Sequence, residues 1–266
     1  MRAEDCVRAA NLAGALRDLE ERVRRSPGDA SLRVFLFQLL AVLGQWERSL
    51  TQLGVAAELD PANTTMAQTY REAIRAEPLR SQVFAGKRTP VVFGDPAEWV
   101  AWLIEALHLA GAGRHEEARA LRERALEQAP ATAGTVNGSA FEWIADADPR
   151  MGPVLEVVMN GRYCWIPFDR IQKVAMEAPA DLRDFVWMPA FITLSTGGEA
   201  AALVPARYPG SELHADDKVR LGRLTDWAEK DGVAIGVGQR LLATDAAEYA
   251  VMDVREIGLR VPPVAS

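Results

Sequence analysis

Between Ala30 and Pro61 the apolar positions fall at helical spacing. Phe35, Leu36, Leu39, Leu40 and Leu43 form one run, and Leu50, Leu53, Ala57 and Leu59 form a second. Gly44-Gln45-Trp46 separates them, which predicts a helical hairpin with Gly44 as the left-handed residue closing the first helix. Asp60-Pro61 ends the second, because proline cannot continue a helix and restricts the residue before it. Small residues at Ser49 and Ala56 let the two helices approach closely. The register returns near residue 100: Trp102, Ala106 and Leu109 share a helix, Gly113-Arg114-His115 turns, and Ala118, Arg122, Ala125 and Pro130 complete the second helix. Upstream, Ala15, Leu19 and Pro27 match the second helix of an earlier hairpin whose first helix is missing or shortened to residues 3–10.

Pro27 and Pro61 lie 34 residues apart, Pro61 and Pro130 lie 69 apart, and Gly44 and Gly113 repeat the longer interval. Thirty-four is the period of tetratricopeptide (TPR) hairpins, which stack into solenoids that bind partners and rarely carry catalytic groups. A helical bundle with coincidental spacing is the competing reading. Between Pro61 and Pro96 the pattern breaks. Asn63 or Thr64 caps a helix expected to run to about Glu77, where Pro78 stops it. Gly86, Pro90 and Gly94 then leave only short extended pieces at Val83-Phe84 and Val91-Val92-Phe93, so one repeat has lost its second helix to a loop.

After Pro130 the texture changes. Residues 131–139 read as a small-residue linker. Val154 to Met159, then Asn160-Gly161, then Arg162 to Ile166 reads as a β-hairpin, since Asn-Gly supplies the two positive φ angles of a type I′ turn. Ile171 to Met176 fits a short helix or a turn, and Phe185-Val186-Trp187 and Phe191 to Leu194 are strand-like. Gly197-Gly198 turns the chain into a strand from Ala200 to Val204. Asp217 to Trp227 offers a short helix, Gly236 to Arg240 a turn, and Tyr249 to Leu259 a last strand. The fold class expected is α+β. A TPR-like α-helical hairpin array over residues 1–133 precedes a small β-rich, partly open barrel-like domain over 134–266.

Composition narrows the function more than the fold. The 266 residues are 49% hydrophobic and 25% charged, as in an ordinary soluble protein. A formal net charge of −7 argues against a general nucleic-acid binder and against adhesion to an acidic membrane, while leaving room for a local basic patch. Cys6 and Cys164 are too few for a disulfide framework and match no metal or redox spacing. The charged N-terminus lacks the apolar core of a signal peptide, and no run of 18 apolar residues predicts a membrane span. A cytoplasmic location is expected.

Candidate chemistry is thin. Asp146-Ala147-Asp148 is a D-x-D pair that can chelate a hard cation, and with Glu156 it supports an alternative reading as a metal-dependent hydrolase or ligand-binding enzyme, with Arg150 or Arg240 nearby. Salt bridging and turn capping compete with that role. His108, His115 and His214 lack a further ligand at zinc spacing, Ser195 lacks the nucleophile elbow, and Gly236-Val-Gly-Gln-Arg lacks phosphate-loop order. Catalytic, cofactor and metal residues are therefore expected to be none. The seven tryptophans read as core anchors, with partner contact as the second possibility. If the hairpins bind a partner, Arg33, Phe37 and Leu40 lie along the first helix of the clearest repeat, and Trp102 and Leu109 continue the surface; all five also fit a core.

Several blocks carry a family resemblance. They are Gln38-Leu39-Leu40, Gly44-Gln-Trp-Glu-Arg48, Glu77-Pro-Leu-Arg80 with Val83-Phe-Ala-Gly86, and Phe141-Glu-Trp-Ile-Ala-Asp-Ala-Asp148. Arg150-Met-Gly-Pro-Val-Leu-Glu156, Asn160-Gly161, Asp181-Leu-Arg-Asp184, Trp187-Met-Pro-Ala190, Pro205-Ala-Arg-Tyr208 and Gly238-Gln-Arg240 follow in order. The chain so resembles the ImpE/SciE/TagJ family over nearly its whole length, most specifically from Glu142 to Glu156. The resemblance implies a non-enzymatic, cytoplasmic accessory protein of bacterial type VI secretion. It further implies binding of the N-terminal amphipathic helix of the small sheath subunit, with an influence on sheath assembly or on recycling by the ClpV unfoldase. A helical hairpin array can accept such a helix in a groove. No family binding-residue motif carries over to named positions here.

Overall fold

The computed structural model describes residues 2–94 and 96–261. Among these residues seven α-helices fill the first half: α1 (Ala3–Arg8), α2 (Leu12–Arg25), α3 (Ala30–Val42), α4 (Trp46–Leu59), α5 (Thr64–Phe84), α6 (Glu98–Gly111) and α7 (His115–Gln128). The first is the shortened helix expected over residues 3–10. α1 packs on α2, α3 on α4, and α6 on α7. Gly44 (φ 68°) and Gly113 (φ 80°) close α3 and α6 in the same way. In each, the next residue's N–H reaches back five positions, Gln45 to the Leu40 carbonyl and Arg114 to the Leu109 carbonyl, both at 2.9 Å. Ser49 earns its smallness: it is fully buried, and its hydroxyl donates to the Phe37 carbonyl at 2.8 Å across the hairpin.

α5 departs from expectation. It does not stop at Pro78 but runs through it to Phe84, so Val83-Phe84 is helical rather than extended. Proline inside a helix removes one backbone bond and costs about 3 kcal/mol. Glu77, Arg80 and Val83, spaced three residues apart, are all buried, and this tertiary anchoring holds the second half of α5 in register.

The remaining chain builds a sheet and its supports. Strands β1 (Val91–Val92), β2 (Gly134–Val136), β3 (Ser139–Phe141), β5 (Val154–Met159), β6 (Arg162–Pro167), β7 (Ile171–Met176), β8 (Trp187–Leu194), β9 (Glu199–Pro205) and β14 (Glu256–Leu259) make one open sheet. Its order is β1-β6-β5-β9-β8-β7-β14-β2-β3, and among the described residues only β1 on β6 is parallel. β4 (Ile144–Asp146), β12 (Leu241–Thr244) and β13 (Glu248–Ala250) form a second sheet, and β10 (Thr225–Lys230) pairs with β11 (Val233–Gly238). The α+β class holds.

The Asn160-Gly161 hairpin forms as expected, with φ of 50° and 71° and Met159 opposite Arg162. The supposed linker over 131–139 is a hairpin too. Asn137-Gly138 takes φ of 49° and 85° between β2 and β3, and the Asn137 side chain bonds the backbone at Asp253, Arg255 and Glu256. Ile171 to Met176 is a strand. The helix expected over Asp217 to Trp227 shrinks to α8 (Asp217–Arg220), because Gly222 (φ 63°) turns the chain and Trp227 pairs opposite Gly236 in β10–β11. Gly236 to Gly238 is consequently strand. Gly236 is required there, since a Cβ would lie 2.3 Å from the Tyr208 ring.

The period of two along β5, β6 and β8 sorts residues between two cores. Val154, Val158, Tyr163, Trp165 and Trp187 face the helices and join their core. Leu155, Val157, Cys164, Ile166 and Met188 face the opposite way, into an all-β core. The helical core thus continues across the boundary at 133/134. Among the described residues, no helix is long and apolar enough to cross a membrane.

Candidate functional site

Glu156 stands between Val154 and Val158 on the helix-facing side of β5, and this places a carboxylate inside the shared core, with none of its surface exposed. Arg80 reaches it from α5, Nε to Oε1 at 2.7 Å and Nη2 to Oε2 at 3.1 Å. Arg240, 1% exposed, approaches from the β side, bonding Glu156 through Nη2 and Asp146 through Nη1 at 2.5 Å. Tyr163 donates its hydroxyl to Glu156 Oε1 and accepts from Trp165 Nε1 at 2.8 Å. Arg80 also donates to the Arg207 carbonyl at 2.6 Å, while Glu77 accepts from Trp187 Nε1 at 2.8 Å. Arg207 donates to the Val42 carbonyl at the end of α3 at 3.0 Å and to the Arg220 carbonyl. Side chains from both halves of the chain therefore form one buried hydrogen-bonded network.

The charges inside it are unequal. Burial opposes ionisation of Glu156, but Arg80 and Arg240 outweigh it and hold the carboxyl at about 2, below its ordinary 4.5. Burial pushes Asp146 from 3.8 up to about 6, because it outweighs Arg240 and the Asp148 backbone N–H, and the Asp148 carboxylate adds to it. Arg240 divides its charge between two carboxylates, and the one that also has Arg80 holds its charge to the lower pH. Burial likewise raises Glu77, against the pull of Arg80.

The signs for stability are opposite. Asp146 binds its proton more tightly when folded, so its contribution is full below 3.8 and is lost as pH rises through about 6. That of Glu156 is full above 4.5 and is lost as pH falls through about 2. Asp146→Asn should therefore remove a decline in stability between about pH 4 and about pH 6. Urea unfolding across that window checks it; a variant that retains the wild-type slope contradicts the assignment.

This geometry speaks against the acidic cluster as a metal site. Asp148 is bonded by Arg150 through Nε at 2.9 Å and by the backbone N–H of Gly236 at 3.1 Å, and Asp146 and Glu156 are held by Arg240 and Arg80. All three carboxylates are buried, and their acceptor positions are filled by arginines and amides rather than left for a metal. Arg150 and Arg240 are near, as expected, but as counter-ions.

Of the five residues placed on a partner-binding surface, three lie in the core. Phe37 and Leu40 are fully buried, Phe37 against the Tyr70 ring, and Leu109 is 9% exposed. Residues 182–185 pack on α3 and Arg207 bonds the carbonyl of its last residue, Val42, so the chain's own β part occupies one side of this hairpin. Arg33 and Trp102 keep exposed surface. Arg33 bonds Gln52 Oε1 at 2.7 Å, and the Arg124 guanidinium lies 3.9 Å over the Trp102 ring. Trp165 and Trp187 are fully buried core anchors, and Trp143 and Trp227 are about two-fifths exposed. Arg80, Arg207 and Glu77 were not singled out as site residues. Their signal was the charge inside otherwise apolar or proline-marked blocks.

A family model described as ImpE protein matches residues 138–258. A curated relative from Pseudomonas aeruginosa, the type VI secretion system accessory component TagJ, is 52% identical over 257 residues, which cover 97% of this chain and 90% of the relative. A crystal structure of a Vibrio parahaemolyticus protein superposes with a TM-score of 0.87 at 25% identity, covering 97% of both chains.

Proposed function

The chain belongs to the ImpE family, and from that membership we propose that it is a non-enzymatic, cytoplasmic accessory component of type VI secretion. It binds the N-terminal amphipathic helix of the small contractile-sheath subunit and so influences sheath assembly or ClpV-driven recycling. The observation that carries this reading is the 52% identity to TagJ along nearly the whole chain. The arginine-filled acidic cluster agrees with it, since that network supports architecture rather than turnover.

Because α3 is covered from within, the partner helix docks on the outer helical surface, where Trp102 and Arg33 remain accessible. Calorimetric titration of the full chain with a peptide of the cognate subunit's N-terminus should give saturable one-to-one binding. Trp102→Ala should weaken it by about 1–2 kcal/mol, as expected for an aromatic anchor. No heat at high micromolar peptide, with the folded state verified, would sink the reading.

A further inference from the structure

The repeat contains one substitution that the sheath reading does not use. Leu19 and Leu53 lie 34 residues apart and occupy equivalent places in α2 and α4, both fully buried. The equivalent place in α7, 69 residues after Leu53, is Arg122. It is 7% exposed, yet among the described residues no hydrogen bond or ion pair holds its guanidinium. Burying a cation without a counter-ion is costly, and a helix that needs only an apolar filler has leucine available.

Arg122 lines a cavity of about 90 Å³ between α6, α7, the end of α5 and the β10–β11 hairpin. That volume holds several waters, and so a group the size of a phosphate. One wall is apolar: Phe84, Leu107, Ala118, Val233 and Ile235. The polar groups around the rest are His115, Arg150, Lys230 and Asp231. Arg150 is matched by Asp148. Asp231 has Lys230 beside it in sequence and lies 3.4 Å from His115 Nδ1, an atom that is itself buried with no hydrogen bond. Among the described residues Arg122 and Lys230 are left without an ion pair, in a cavity that the unsatisfied His115 also lines. Burial lowers the proton affinity of Arg122, and Asp148, the acid that acts on it most, does not offset this.

We propose that this cavity binds a small organic oxyanion, a carboxylate or phosphate carried on an apolar group, with Arg122 as its counter-ion and Lys230 at its mouth. The apolar wall takes the substituent, and the guanidinium donates to the oxygens in its planar fork. Neither Trp102 nor Arg33 lines this cavity, and the proposal stands or falls independently of the sheath partner.

Phenyl phosphate and inorganic phosphate, titrated calorimetrically into the full chain at low ionic strength, test it. Both should bind one-to-one, phenyl phosphate the tighter by roughly tenfold because its ring reaches the apolar wall. Arg122→Leu restores the residue of the other repeats. It should leave the unliganded protein at least as stable in urea while weakening phenyl phosphate by at least about tenfold. Lys230→Gln changes only an exposed side chain, so it cannot act by unfolding the chain, and it should weaken binding severalfold. Arg119→Gln, on the exposed side of α7, should change nothing. Failure of both probes to bind at millimolar concentration overturns the proposal, as does binding that survives Arg122→Leu or Lys230→Gln unchanged.

Discussion

Replacing Glu156 by glutamine should cost about 3–5 kcal/mol of folding stability, against about 1 kcal/mol for an average substitution. Glu156 is the carboxylate shared by Arg80 and Arg240, both buried. Without its charge, two guanidinium groups face each other in the core with Asp146 as the remaining nearby acid of Arg240 and Glu77 that of Arg80. Tyr163 also keeps a hydroxyl directed at the same oxygen. Glu142→Gln provides the contrast, because Glu142 is exposed and should shift stability by less than about 0.5 kcal/mol. Urea unfolding at neutral pH separates the two. A loss below about 1 kcal/mol for Glu156→Gln would mean that solvent reaches the network and screens it. Replacing Arg80, Glu156 and Arg240 together by apolar residues should cost less than the sum of the single losses, since the charges then have no stranded partner.

Trp187→Ala should cost a comparable amount, about 3–5 kcal/mol, by a different route. Trp187 is fully buried where β8 meets the helices, 6.0 Å from the Trp46 ring and 6.1 Å from that of Tyr70. Truncation opens a cavity between sheet and helices and strips Glu77 of its indole donor. Trp187→Phe retains most of the packing and should lose about 1–2 kcal/mol, the part due to the buried acceptor left unmatched. If the two variants unfold at the same urea concentration, packing contributes little at this junction. The transition itself matters as well: loss of one side chain at the shared core should lower a single cooperative midpoint rather than split helical and β signals.

The parts of the fold legible in the sequence were those specified locally. Gly44 and Gly113 close their helices through their own positive φ angles, and Asn160-Gly161 turns its hairpin through its own backbone preference. Such features need no distant partner. Where a distant partner decides, local reading fell short. α5 continues through Pro78 because Arg80, two residues on, is gripped by Glu156, 76 positions away in sequence. Asn137-Gly138 carries the same turn chemistry as Asn160-Gly161, but its three-residue strands are too short to announce themselves. Trp227 is drawn from helix to strand by pairing opposite Gly236.

The site shows the same division. The blocks around Glu77, Asp146, Glu156, Trp187, Arg207 and Arg240 stood out as a family resemblance, whereas their convergence on one buried network depends on a topology no short block encodes. Phe37 and Leu40 carry the apolar character that a groove and a core both require, and only the covering segment at 182–185 distinguishes these cases. Arg122 was visible as a repeat position, and its departure from leucine gains meaning only when the cavity beside it is seen.

Amide hydrogen exchange on the full chain, with and without a saturating sheath-subunit peptide, discriminates most sharply between a partner held outside and one held within. New protection should appear on the outer helical surface around Trp102 and Arg33, while amides of α3, β8 and residues 182–185 keep the exchange rates of the free protein. Faster exchange in β8 and residues 182–185 on binding would contradict this, for it would mean that the peptide displaces the β part and enters the groove now filled from within.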